Sequence, residues 1–229
     1  MKSMWDFSVI VQYAPLLAGA FARTIILTCW VILVGTIGGT VLALLQMSPF
    51  APLRWAARGA VETLLAMPAL VLMVWLYYCL PMILGSGRVA LTGMEAAVAA
   101  LGMSLAAFVA LSARAGIQSI PYGQVEAAYC CGLSRWATLR AVIFPQAWRR
   151  AWPAIVAQYI TAYKFSTIAS VVAVDELLHA GSDVIAQTYR PLEVYTAIAF
   201  CFCITTIPLN ALLRRVETRM AWAGGIAVL

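Results

Sequence analysis

Apolar residues come along this chain in long unbroken runs, not in the short alternating or three-and-four-spaced patterns of a water-soluble core. Five runs approach the roughly 20 residues that cross a hydrocarbon layer of about 30 Å as a helix. They are Thr24–Met47, Gly59–Leu80, Leu91–Ser112, Trp152–Val174 and Tyr195–Leu213. Before the first, Phe7–Ala22 is apolar but interrupted by Pro15 and Gly19, which predicts a segment lying along the membrane surface. Between the third and fourth runs lies the one long polar connection, residues 115–150. The pattern predicts an all-α polytopic membrane protein with about five transmembrane helices.

Arg54, Arg58, Arg114, Arg135, Arg140, Arg149, Arg150, Arg214, Arg215 and Arg219 fall on one side of these spans. Lys2, Arg88 and Arg190 fall on the other, and Arg23 and Lys164 lie in or at the edge of spans. Short cytoplasmic connections carry the basic excess. The arginine-rich side is therefore expected inside, with the N-terminus outside and the C-terminus cytoplasmic, as an odd number of spans requires. The opposite side carries Asp6, Glu95, Asp175, Glu176, Asp183 and Glu193, which either mirror the inner arginines, or help to dock a partner or attract a cation.

Composition sharpens the class. Of 229 residues, 64% are hydrophobic and 10% charged, with mean hydropathy +0.91. A soluble domain is about 45–50% apolar and about 25% charged, so a soluble enzyme is excluded. The net charge of +6 then belongs to a membrane rim rather than to a nucleic-acid surface. Asp6 stands where a signal peptide would begin its apolar core, so no cleavable leader is expected.

Catalytic chemistry finds no foothold. Neither lysine, Lys2 nor Lys164, sits in a phosphate-binding G-x-x-x-x-G-K-[ST] loop. His179 is the single histidine, and the six cysteines (Cys29, Cys79, Cys130, Cys131, Cys201, Cys203) have no zinc or redox spacing. The expectation is a non-catalytic subunit with no metal and no cofactor of its own. Gly35 and Gly39 form a small-x-x-x-small pair that lets helices approach closely, either inside the chain or between chains.

Within residues 115–150, Val125–Cys131 and Arg135–Ile143 read as two short helices. Gly132 separates them with a residue free to take a left-handed backbone, Ser134 caps the second, and Pro145 is expected to end it. Lys164, about twelve residues into the fourth run, falls near mid-membrane at about 1.5 Å per residue. A lysine there costs roughly 2.5–3.5 kcal/mol to insert. It therefore either lines a watery path or pairs internally, with the hydroxyls of Ser166 and Thr167 at similar depth.

Glu126-Ala127-Ala128, then Gly132, then Ile143-Phe144-Pro145 resembles the EAA loop of ABC-importer permease subunits. The flanking text, and Arg23-Thr24, Pro68, Tyr77-Tyr78-Cys79-Leu80-Pro81 and Thr188-Tyr189-Arg190-Pro191, resemble the polar amino-acid group within that family, over roughly residues 19–218. The resemblance implies a type I ABC-importer transmembrane domain at 19–218. An external or interfacial segment would occupy 1–18, and a cytoplasmic tail 219–229. It implies an ATPase-coupling loop built on Gly123, Glu126, Ala127, Ala128, Gly132 and Pro145, and a substrate path touched by Lys164, Ser166, Thr167 and Pro68. It further implies a second permease subunit, two cytoplasmic ATPases that bind the ATP and Mg, an external solute-binding protein, and a place in the bacterial inner membrane. Cargo would be a polar or charged amino acid, with an opine or other small polar solute, or an ATP-independent secondary carrier, as alternatives. Where the family often has polar groups, Leu65, Leu111 and Phe165 are apolar here, which points to a sequence-different second subunit supplying the charged contacts, with a second copy of this chain as the alternative.

Overall fold

The computed structural model describes residues 6–85 and 91–222, with side chains as far as Thr218. Lys2, Arg88, the side chain of Arg219 and the tail after residue 222 lie outside the described residues. Every regular element among the described residues is helical. The short α1 (Ser8–Gln12) leads into α2 (Ala14–Gln46), then α3 (Ala51–Ala66), α4 (Ala69–Val74) and α5 (Leu80–Leu84). These are followed by α6 (Gly93–Gln118), α7 (Tyr122–Cys130), α8 (Arg135–Thr138), α9 (Phe144–Phe165), α10 (Leu177–Thr188) and α11 (Pro191–Trp222).

Three helices are long and apolar enough to cross a membrane: Ala14–Gln46, Gly93–Gln118 and Pro191–Thr218. The segment expected to lie on the surface mostly belongs to α2. Pro15 stands in the first turn, where its missing N–H is not needed, and Gly19 is tolerated within the helix. The second expected span is a bent pair, Ala51–Ala66 and Ala69–Leu84, meeting at 103°. The cause is local. Pro68 pushes Met67 out of the helical region (φ −89°, ψ 125°) and is itself extended (φ −60°, ψ 130°), so α3 stops there. The fourth expected span remains α-helical only to Phe165 and continues as a 3₁₀ helix over Ser166–Val172, closed by Ala173 in a left-handed conformation (φ 55°).

Two π-helical turns, Trp75–Cys79 and Leu139–Ile143, each run into a proline in the first turn of the next helix, Pro81 and Pro145. A proline clashes with the carbonyl four residues back and offers no N–H. A widened turn relieves both problems. Pro145 therefore does not end its helix as the sequence suggests: the backbone stays helical from Arg135 to Phe165.

The core is helix on helix. A Cβ on Gly35 would stand 2.6 Å from Leu105 Cγ, and one on Gly39 would stand 2.5 Å from Val109 Cβ and 2.7 Å from the Ala106 carbonyl. The small-residue pair thus serves contact between α2 and α6 inside the chain. Around it, Leu27, Val31, Met73, Leu101, Ala151 and Ile155 are buried. A capping box opens α6: Glu95 N–H donates to Thr92 Oγ1 (3.2 Å), and Thr92 N–H donates to Glu95 Oε2 (2.8 Å).

Candidate functional site

The connection between α6 and α9 folds into a knob. At the end of α7, Gly132 takes φ +79°. Its N–H donates to the Tyr129 carbonyl (2.9 Å), and the Leu133 N–H donates to the Ala128 carbonyl (3.1 Å). This pair of bonds is the Schellman closure that a left-handed glycine permits. The Ala137 N–H donates to Ser134 Oγ (3.3 Å), which caps α8. Ala128 is buried, whereas Gly123, Glu126, Ala127 and Gly132 are exposed together with Tyr122, Tyr129 and Trp136. The knob therefore presents one carboxylate, two arginines (Arg135 and Arg140), small residues and aromatic rings to whatever lies beyond the chain.

Its mounting is firm. Arg150 donates to both the carbonyl and the hydroxyl of Ser119, tying α9 to the end of α6. A Cβ on Gly116 would stand 2.7 Å from the Ala147 carbonyl, so these helices touch through their backbones. From the knob, one helical rod runs through α8, the π turn and α9 to Lys164 and Phe165.

Along α9, Ala154, Lys164 and Phe165 are exposed, and Ala157, Gln158 and Thr161 are half-buried. Polar groups such as Lys164, Gln158 and Thr161 on an uncovered membrane-helix face are costly against lipid, so this face suits a water-filled path or another subunit. Lys164 makes no ion pair among the described residues. Ser166 is fully buried, with its hydroxyl donated to the Tyr163 carbonyl (2.7 Å), and Thr167 donates to the Lys164 carbonyl (2.9 Å). Both hydroxyls serve the 3₁₀ turn, so Lys164 is the group of that trio whose polar head stays uncommitted.

Beside this face, a cleft of about 170 Å³ lies between the end of α3, α6 and α9. Leu65, Met67, Phe108 and Phe165 line it, together with Ser104, Gln158 and Thr161. Pro68 creates the bend that forms its wall but is not itself among the lining residues. Ser104 Oγ is buried there without a hydrogen-bond partner among the described residues. Two of the three apolar departures, Leu65 and Phe165, meet in this cleft, while Leu111 lies outside it and is exposed. Gln158 and Thr161 are missing from the residues that sequence reasoning singled out. The signal was present, since positions 158, 161, 162 and 165 share one helix face.

The opposite end of the molecule holds α10, which the sequence reading did not anticipate. The fully buried Glu176 caps it by accepting from the N–H groups of Leu178 (2.9 Å) and His179 (2.8 Å). Burial pushes the Glu176 carboxyl above its ordinary pKa, and those two donors oppose the shift. Arg23 Nε donates to the Asp175 carbonyl (2.6 Å), and Leu177 N–H donates to Thr24 Oγ1 (3.0 Å), which fixes α10 to α2. Arg190 pairs with Asp6 (3.3 Å) and Glu193 (3.2 Å), holding the N-terminal strap against the start of α11.

A family model described as "Binding-protein-dependent transport system inner membrane component" matches residues 35–222. The glutamine transport system permease protein GlnP of Escherichia coli (strain K12) is 33% identical over 220 residues, 94% of this chain and 98% of the relative. The glutamate/aspartate import permease protein GltK of Escherichia coli O157:H7 is 27% identical over 221 residues, 95% of this chain and 99% of the relative. A crystal structure of an amino acid ABC transporter with histidines matches with TM-score 0.89 at 31% identity, over 94% of this chain and 99% of that one.

Proposed function

The chain belongs to the family of binding-protein-dependent transport system inner membrane components, and from that premise we propose that it carries a polar or charged amino acid inward, driven by partner ATPases. It is a multi-pass permease subunit of the cytoplasmic membrane, of the amino-acid ABC-importer kind. The reading places the knob inside with the C-terminus, and the N-terminus and α10 outside, with residues 19–218 as the working domain. Two ATPases would grip the knob through Glu126, Ala127 and Ala128. A second permease subunit would complete the path, and an external binding protein would deliver the cargo.

The observation that carries this reading is the continuous helix from Arg135 to Phe165. It links the exposed knob to the uncovered face bearing Lys164, so a displacement applied at one end must move the other. Uniform rigidity along the rod is interrupted at the π turn and at Pro153, the places where it can bend. The Lys164 ammonium suits a carboxylate, a group that every amino acid offers.

Reconstitution of the chain with its partner subunits in proteoliposomes tests the proposal. Amino-acid uptake is expected to require ATP and the binding protein. Glu126→Lys is expected to abolish substrate-stimulated ATP hydrolysis while leaving membrane insertion unchanged. Uptake that follows an ion gradient without ATP would refute the reading.

A further inference from the structure

We propose that the groove between α2, α9 and α11 holds the acyl chains of an anionic phospholipid from the surrounding bilayer, with its headgroup held by Arg149, Arg214 and Arg215. The groove has a volume of about 820 Å³. Val156 and Ile160 of α9 form its floor, with Ile25 and Cys29 of α2 on one side and Ile204 and Leu212 of α11 on the other.

Its chemistry selects hydrocarbon. The hydroxyls in its lining are already committed. Thr28 donates to the Thr24 carbonyl (2.8 Å), Tyr159 bonds Thr36 (2.7 Å), and Tyr163 bonds Thr205 (2.8 Å). A polar solute would find these groups occupied and would lose its own water. An acyl chain loses nothing there.

Arginines adjoin one end of the groove in sequence, next to its lining residues. Trp152, Leu213 and Val216 line that end. Arg149 lies one helical turn before Trp152, and Arg214 and Arg215 fall between Leu213 and Val216. All three arginines are exposed, and none pairs with an acid among the described residues. Glu217 is the one carboxylate on this stretch of α11, which leaves the cluster net positive. Basic clusters between membrane helices at the interface recognise anionic headgroups. The side of α9 that floors this groove is not the face of Ala157, Thr161 and Lys164. If that second face is turned to the path, as the proposed function requires, the groove is left to lipid.

The test places a photo-crosslinking benzoylphenylalanine at Val156, and separately at Ile160 in case one position disturbs folding. The assembled transporter is held in vesicles where phosphatidylglycerol is the minor lipid beside phosphatidylethanolamine. Mass spectrometry is expected to find phospholipid adducts, with phosphatidylglycerol enriched at least about ten-fold over its share of the bilayer, given the attraction of several basic side chains. The Arg149→Gln, Arg214→Gln, Arg215→Gln variant is expected to keep the adduct and lose the enrichment. Adducts to another permease chain, or phosphatidylglycerol at its bilayer share in the unaltered protein, would overturn the proposal. The same photoprobe at Thr161 separates the two readings: lipid captured there counts against the path face, not against the groove.

Discussion

Gly132 allows the knob's geometry to be tested with one side chain at a time. Its φ is +79°, and an added Cβ would meet nothing within 4 Å. A Cβ there meets no crowding within the chain, so the strain that a substitution brings to the turn itself comes from the backbone. A left-handed conformation costs a non-glycine residue about 1–2 kcal/mol, with asparagine near the low end and β-branched residues above it. Opposing that strain are the two closing bonds, Gly132 N–H to Tyr129 and Leu133 N–H to Ala128, each worth about 1 kcal/mol net. Valine thus brings the closed and opened turns to within about 1 kcal/mol of each other, and the closed population falls from nearly all molecules to about half. Asparagine should leave it largely closed, and alanine should fall between. Because the turn is exposed and distant from the α2–α6 core, the melting temperature of the purified assembly should hardly move. The informative quantity is amino acid transported per ATP hydrolysed in proteoliposomes, expected in the order glycine, asparagine, alanine, valine. Normal coupling in Gly132→Val, or asparagine falling as far as valine, would refute the reasoning.

Lys164→Ala should raise the half-saturation concentration for uptake by about ten-fold or more, the worth of one charge-assisted hydrogen bond, and unchanged uptake and ATPase kinetics would remove Lys164 from the path. Pro145→Ala should leave melting unchanged or higher, because a helix proline is no longer accommodated, yet lower coupling as the π turn tightens and re-aims the knob; normal coupling would show that the π turn has no mechanical part. For Glu176, burial holds the folded carboxyl above its ordinary value of 4.5, so the folded chain keeps the proton to a higher pH than the unfolded chain does. That contribution is fully present below about 4.5 and is lost as pH rises through the raised value. The melting temperature of wild type minus that of Glu176→Gln should therefore fall with rising pH, and a constant difference would refute the shift.

The parts of this molecule legible in the sequence are those set by local chemistry. Gly132 and Ser134 announce a left-handed closure and a cap because only a few residue types serve those positions well. The apolar runs announce membrane helices because transfer to lipid sums over many residues. Hydropathy is blind, however, to where the backbone breaks. Leu64, Leu65, Met67 and Leu70 continue one greasy run, yet Pro68 turns the chain by 103° within it. Prolines were also misjudged in the opposite sense at Pro145, since a widened turn can absorb what an α-turn cannot. Helix α10 was hidden by its length of 12 residues, too short to register as a span. Its stripe of Leu177, Ala180, Gly181 and Val184 was nonetheless readable at helical spacing behind the cap of Glu176. The shared helix face of Gln158 and Thr161 is readable at helical spacing, but the cleft they line is not, because it depends on how α3 bends toward α6 and α9.

These elements divide the chain into parts that resist movement and parts that yield. Helices α2 and α6 are locked by backbone-close contact at Gly35 and Gly39, where even a methyl group has no room, so shear between them would break many dispersion contacts at once. Helix α11 is largely exposed along its apolar length, and α3 and α4 meet at a bend with no helical bond across Met67 and Pro68. A force entering at the knob meets α6 first, through Arg150 and Gly116, and is carried along α9. With the α2–α6 pair acting as the stator, relative motion has to be taken up where α9 can bend, at the π turn and Pro153, and at the α3–α4 bend and along α11. The bend forms a wall of the cleft lined by Gln158 and Thr161. On the proposed reading, then, a segment that hydropathy presents as one span is a hinge, and its break at Pro68 lets a push at the knob change the width of the path.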